Sequence, residues 1–241
     1  MDERFLRARM LLGAEAMEKL HHSHVAVFGL GGVGSWCAEA LARSGIGELT
    51  LIDRDTVSRT NINRQLCATE STVGLPKTEV MRARLLDIDP DLKVNVITGH
   101  YDAEHREDFF ADYDFIVDCI DLVSCKLDLI MTAKARNIPI VSALGTGNKC
   151  DAERLTVCDI KKTGGCPLAR VVRKELRARG VEHLDVVFSP EEAMDCEQCE
   201  APPPGRRSVP GSLVWVPATA GFLLCGHVVM TLVKETRHGI E

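Results

Sequence analysis

Several residues in the first half of this sequence have the types and spacing to hold a phosphate-bearing ligand. The run His24-Val-Ala-Val-Phe-Gly29-Leu-Gly31-Gly32-Val-Gly34 sets glycines at G-x-G-x-x-G behind a short apolar stretch. Glycine lets the backbone turn sharply, and it lets phosphate oxygens approach the free N–H groups at a helix N-terminus. Asp53 lies nineteen residues past Gly34. A carboxylate at that separation can accept hydrogen bonds from both ribose hydroxyls of a nucleotide. These residues predict a nucleotide site. They do not choose between NAD and ATP, because both present ribose and pyrophosphate.

A second set bears on that choice. Asp55 opens the stretch Asp55-Thr-Val-Ser-Arg-Thr-Asn61-Ile-Asn-Arg64-Gln65, and twelve residues on stands Lys77 in Gly74-Leu-Pro-Lys77. Hydride transfer needs neutral surroundings for a nicotinamide, whereas a triphosphate carries charge that must be neutralised as pyrophosphate departs. Arg64 can fork onto phosphate oxygens, Lys77 can act as a point charge, and Asn61 can position an oxygen without charge. Asp121, in Asp118-Cys-Ile-Asp121, follows a later apolar run, where a Mg²⁺ ligand would sit. Each residue has a plainer alternative: Arg64 and Lys77 as solvated charges, Asn61 as a helix cap, Asp121 as the cap of a following helix. Taken jointly they predict ATP with Mg²⁺.

Such residues need a scaffold that gathers strand ends. Val25–Phe28 reads as a buried strand, Ser35–Arg43 as a helix, and Glu48–Ile52 as the next strand, closed by Asp53. A helix at Lys77–Leu86, strands at Lys93–Thr98, Phe115–Cys119 and Ile138–Ala143, and a helix at Ser124–Arg136 continue the alternation. Residues 4–20 show a rough helical period. This order implies right-handed crossovers and an α/β fold: Rossmann-like, doubly wound, with a mainly parallel sheet and helices on both faces.

Beyond about residue 150 the pattern changes to a strand at Arg154–Ile160, a helix at Pro167–Arg179, a strand at Val186–Phe188 and a closing apolar helix near Ala218–Lys234. Between the last two, Ser189–Ser212 holds five acids and five prolines and reads as a long mobile loop. The organisation expected is one domain over residues 1–241, with a nucleotide-binding core over 1–150. A C-terminal α/β extension over 151–241 would face the substrate and carry loop 189–212.

The net charge of −6 argues against a protein that coats nucleic acid generally, though not against a local basic face. Lys161–Gly180 supplies one, with seven Lys/Arg and one Glu. On a helix Arg170, Arg173, Lys174 and Arg177 form a stripe suited to phosphates, with Val171, Val172 and Leu176 turned to the core. Arg206 and Arg207 are weaker candidates. The N-terminal MDERFLRARM carries charge where a secretion signal needs an apolar core. With ten cysteines scattered through regular elements, the chain reads as cytoplasmic with free thiols. Leu213–Val233 is apolar enough to raise a membrane span, but Pro217, Gly221, Gly226 and His227 favour a buried helix or subunit interface.

The segments Gly29-Leu-Gly-Gly-Val-Gly34, Leu51-Ile-Asp53-Arg-Asp55, Asn61-Ile-Asn-Arg64-Gln65, Gly74-x-x-Lys77 and Asp118-Cys-x-Asp121 together resemble the ubiquitin-activating-enzyme-like superfamily of ATP-dependent adenylating enzymes. The resemblance places the glycines near the phosphates, Asp53 on the ribose, Asn61, Arg64 and Lys77 on the phosphates, and Asp121 at Mg²⁺. It also implies a homodimer in which an N-terminal arginine reaches the partner's site; Arg7 fits that motif, with Arg9 as the competing choice. Members that activate ubiquitin-like sulfur carriers hold a zinc with two CxxC pairs. The single pair Cys196-Glu-Gln-Cys199 argues against a structural zinc and against that branch, which stays as the alternative reading.

Gly34-Ser-Trp-Cys-Ala-Glu-Ala-Leu-Ala-Arg-Ser-Gly-Ile-Gly47, Cys166-Pro-Leu-Ala-Arg-Val-Val-Arg-Lys-Glu-Leu-Arg-Ala-Arg-Gly180, Val187-Phe-Ser189 and the closing helix are similar to the tRNA threonylcarbamoyladenosine dehydratase subfamily. That similarity implies a tRNA substrate whose threonyl carboxylate is adenylated and then closes a ring, releasing AMP and pyrophosphate. It leaves a cysteine-desulfurase or sulfur-acceptor protein as a candidate companion.

Overall fold

The computed structural model describes residues 2–199, 201–202 and 208–236. Arg206 and Arg207 lie outside them. Seven strands form one sheet: β1 (His24–Phe28), β2 (Glu48–Asp53), β3 (Lys93–Thr98), β4 (Phe115–Asp118), β5 (Ile140–Ala143), β6 (Thr156–Asp159) and β7 (Asp185–Phe188). Their order is β3-β2-β1-β4-β5-β7-β6, parallel throughout except that β6 runs antiparallel to β7 at the edge. The two strands from beyond residue 150 thus extend the sheet built by the first half.

The central strands are apolar on both faces because helices cover both. Val25 and Val27 of β1 face one core, and Ala26 and Phe28 the other. The first core is closed by α2 (Ala14–His21), α3 (Gly34–Arg43), α4 (Lys77–Ile88) and α7 (Trp215–Leu232), the second by α5 (Val123–Ala135) and α6 (Pro167–Ala178). This is the doubly wound arrangement expected.

The helical period of residues 4–20 does not form one helix. Gly13 has φ +89°, which no helix accommodates, and it separates α1 (Leu6–Leu12) from α2. The apolar segment near residues 213–233 is α7. It is long and apolar enough to cross a membrane, yet half of it is buried within the fold. At Gly221 it meets α3 so closely that a Cβ would lie 2.6 Å from the Val33 carbonyl oxygen.

Candidate active site

A cavity of about 950 Å³ opens at the carboxyl ends of the parallel strands, where open α/β sheets bind ligands. Gly29, Gly31 and Gly32 line it, with Asp53, Asp55, Asn61, Arg64, Lys77 and Asp121. Gly34 stands behind, at the first turn of α3. The chain after β1 turns at Gly29 with φ +92°, and a Cβ there would sit 2.8 Å from the Cys119 carbonyl oxygen. A Cβ on Gly34 would sit 1.8 Å from the Gly29 carbonyl oxygen, so both positions require glycine. Gly31 is different: its Cβ would meet nothing nearer than Gln65 Nε2 at 4.0 Å, which leaves its backbone open to a ligand.

Asp53 closes β2 and fixes the loop in front of it. One carboxylate oxygen accepts from the Leu30 N–H at 2.6 Å, the other from the Asp55 N–H at 2.8 Å. Each oxygen keeps a lone pair for a ribose hydroxyl. Lys77 opens α4, is 5% exposed, and donates from Nζ to Asp55 Oδ2 at 3.0 Å. It is not the solvated charge that a lone lysine suggests. Asn61 does act as a cap: its Oδ1 accepts from Ser58 N–H, so only its amide N–H₂ remains to face a ligand. Arg64 donates to the Thr60 carbonyl oxygen at 2.7 Å and to Asn63 Oδ1 at 2.9 Å, while Trp36 Nε1 donates to the Arg64 carbonyl oxygen. Asp121 follows β4 by three residues and is exposed.

The donor set suits a nucleoside triphosphate with Mg²⁺. Open glycine backbone, a lysine and an arginine match phosphate oxygens. A carboxylate is the hard oxygen ligand that Mg²⁺ takes one or two at a time, alongside water and phosphate.

Several cavity residues carried no role in the sequence. Gln65, which ends the Asn61–Gln65 segment, is one of them. Lys149 is 3% exposed and lines the far end with Leu144–Gly147, Cys166–Leu168 at the start of α6, and Val209–Ser212. Part of loop 189–212 therefore forms cavity wall. Asn148, at φ +58°, holds that loop at two places: its carbonyl oxygen accepts from Met194 N–H at 2.8 Å, and its backbone N–H and Oδ1 pair with Gly211 O and N–H at 2.8 and 2.6 Å. Beneath the β4–β5 end, Lys126 is fully buried and bonds Asp118 Oδ2 at 2.6 Å, Ser142 Oγ at 2.9 Å and the Ala143 carbonyl oxygen at 3.0 Å. Asp118 Oδ1 in turn accepts from Ile120 N–H in the turn that leads to Asp121.

The remaining candidates lie outside the cavity lining. Arg7 is exposed on α1. On α6, Arg170, Lys174 and Arg177 are exposed as a stripe, but Arg173 is not part of it. Its Nη1 turns inward to the Thr163 carbonyl oxygen at 2.7 Å and to Thr163 Oγ1. Ala169, Val172 and Leu176 form the buried face and Arg173 flanks it; Val171, expected to face the core, is 45% exposed. Among the described residues, Cys196 and Cys199 join no group of three or more metal-ligating side chains.

The chain is similar to known proteins along its length. It is 42% identical to the tRNA threonylcarbamoyladenosine dehydratase of Bacillus subtilis, over 98% of this chain and 96% of that one. It is 36% identical to the same dehydratase of Haemophilus influenzae, over 97% of this chain and 95% of that one. The solved structure of the Escherichia coli tRNA N6-threonylcarbamoyladenosine dehydratase in complex with ATP superposes with a TM-score of 0.87 at 36% identity, covering 98% of this chain and 97% of that one. The ThiF family matches residues 5–238, which takes in the glycine loop, the cavity and α7 alike, and the chain belongs to that family.

Proposed function

We propose that this chain is an ATP-dependent dehydratase that activates the threonyl carboxylate of N6-threonylcarbamoyladenosine in tRNA and closes it into a ring, with release of AMP and pyrophosphate. What carries this reading is that the likeness to such dehydratases runs through β6, β7 and α6 as well as the nucleotide half.

In this reading the backbone at Gly29–Gly32 receives phosphate oxygens and Asp53 orients the ribose. Lys77 leaves Asp55 and, with Arg64, neutralises the departing pyrophosphate, while the Asn61 amide donates to a phosphate oxygen. Asp121 holds Mg²⁺, which when bound offsets phosphate charge. A free carboxylate is a poor electrophile because its leaving group would be oxide, and activation with ATP supplies a better one. Ring closure is then intramolecular, so proximity replaces an encounter.

The chain works in the cytoplasm as a homodimer, in which Arg7 reaches the partner's phosphates. Leu6, Met10 and Leu11 on the same helix are exposed apolar side chains of the kind that subunit contacts cover. Arg170, Lys174 and Arg177 bind the tRNA backbone. The core over 1–150 binds the nucleotide, and the extension over 151–241 faces the tRNA.

The test is nucleoside analysis of modified tRNA after incubation with the protein, ATP and Mg²⁺, together with pyrophosphate exchange. Loss of one water from the modified adenosine, with exchange dependent on that tRNA, is expected. Exchange driven only by a protein ending in two glycines would establish the sulfur-carrier reading in its place.

A further inference from the structure

Three lysines are buried among the described residues: Lys77, Lys126 and Lys149. Lys77 pairs with Asp55, and Lys126 with Asp118. Lys149 has no carboxylate within 4.0 Å among the described residues. Its Nζ donates to the Ser189 carbonyl oxygen at 2.7 Å, and two of its protons remain. The nearby Glu191 carboxylate is already taken by the backbone N–H groups of Cys150 and Asp151. Burial pushes the Lys149 ammonium below the usual lysine range, against the opposing pull of Cys166 and Glu191. An ammonium taken from water without a directly paired carboxylate is costly, and such groups concentrate where a ligand brings further charge.

Its surroundings fit an anion. Lys149 lines the cavity beside Cys166, Pro167 and Leu168. Cys166 caps α6 without a side-chain hydrogen bond, and the twelve-residue helix directs its positive end there. Two anions must meet for the activation proposed above, a carboxylate and a triphosphate. Lys77 and Arg64 answer the second and sit with the glycine loop. Of the other basic side chains lining the cavity among the described residues, Arg54 is exposed beside Asp55 and His100, and Lys149 is the buried one left for the first.

We propose that Lys149, aided by the opening turn of α6, seats the threonyl carboxylate of the tRNA before it is activated. This rests on the dehydratase reading. The ammonium offsets the repulsion between the incoming carboxylate and the phosphates. One carboxylate oxygen stays on Lys149 while the other forms its bond to the α-phosphorus, as the bond from that phosphorus to the pyrophosphate oxygen breaks and pyrophosphate leaves with the electron pair.

Two tRNAs test it, one carrying the threonylcarbamoyl group with its free carboxylate, the other with that carboxylate converted to the primary amide. Their affinities are compared by competition on the full-length protein with a non-hydrolysable ATP analogue bound. The wild type favours the carboxylate by at least about 30-fold, the lower end of what losing one partner of a buried charge pair costs. Lys149→Met binds both alike, with ATP affinity kept within about twofold. Lys149→Gln, which retains a donor for Ser189 and drops the charge, gives the same result if the methionine variant folds poorly. Lys149→Arg restores part of the preference. A wild type indifferent to the amide, or neutral variants that keep its preference, overturns the assignment. If the wild type still cyclises modified tRNA in that case, the dehydratase reading survives and only the role of Lys149 falls. If it cyclises none, both fall.

Discussion

Removing the Lys126 ammonium by Lys126→Met tests how the floor of the site is held. Both members of the Lys126–Asp118 pair are fully buried, and the ammonium also bonds Ser142 Oγ and the Ala143 carbonyl oxygen. Methionine matches the stem but leaves the Asp118 carboxylate with Ser142 Oγ and Ile120 N–H as its remaining partners. Breaking a buried pair from one side costs about 3–5 kcal/mol, because an uncompensated charge stays inside. For a chain of this size that is a fall in Tm of roughly 6–20 °C. Asp118→Asn alone leaves the ammonium stranded and costs a similar amount. The double variant removes both charges while the asparagine carbonyl can still accept from Ile120 N–H. It is therefore expected to lose about 2 kcal/mol or more less than the sum of the two single changes. Urea denaturation followed by circular dichroism at neutral pH measures all four corners of the cycle. A Lys126→Met loss under about 1 kcal/mol, or strict additivity in the double variant, would refute the claim that this pair holds the ends of β4 and β5 together.

Other outcomes follow from the site and its surroundings. Lys77→Met is expected to lower pyrophosphate exchange about 10²–10³-fold, and because Lys77 is buried within 4.0 Å of the buried Asp53 carboxylate as well as bonded to the exposed Asp55, it is also expected to cost about 1–3 kcal/mol of stability. Exchange near the wild-type rate would remove Lys77 from the chemistry. Arg170→Glu with Lys174→Glu is expected to weaken tRNA binding and flatten the slope of log affinity against log salt by about 1.5, with ATP affinity unchanged. An unchanged slope would show that the stripe does not meet phosphates. Burial, outweighing the pull of Glu48, lowers the pKa of His24 below its ordinary value. A histidine kept neutral by the fold adds stability above its unfolded pKa, about 6.5, and that contribution is lost as pH falls through the lower folded value. Thermal melts between pH 7.5 and 5 should show this fall, and His24→Gln should flatten it.

Much of the fold was legible because its signals are local. Apolar runs ending in glycine or aspartate marked β1 and β2, and the spacing from Gly34 to Asp53 is fixed by one helix and one strand. Gly13 does not mark a break in the sequence because the apolar period continues on either side of it; its positive φ makes the break. Sequence spacing alone draws Arg170, Arg173, Lys174 and Arg177 as one stripe, whereas the buried face centres on Ala169, Val172 and Leu176 and takes Arg173 along its flank. Lys126 and Lys149 were invisible for a shared reason. A lysine in sequence reads as surface, and the carboxylate or cavity that changes its meaning is supplied by segments brought in from elsewhere. Lys126 offered one clue: it stands within the largely apolar run of α5, where a solvated charge has little surface to occupy.

The double hold of Asn148 on the segment between Met194 and Gly211 bears on how this family can vary. Both ends of that segment are fastened to a single residue, so its span is set by the fastening and not by its length. Lengthening a tethered hoop is cheap, since even doubling a flexible loop adds only about 0.6 kcal/mol of closure entropy. Insertions there can reshape the cavity wall at little cost to folding, whereas a change at Asn148 would remove the Oδ1 bond to Gly211 and leave its two main-chain bonds in place, beside the lysine that follows it in the chain.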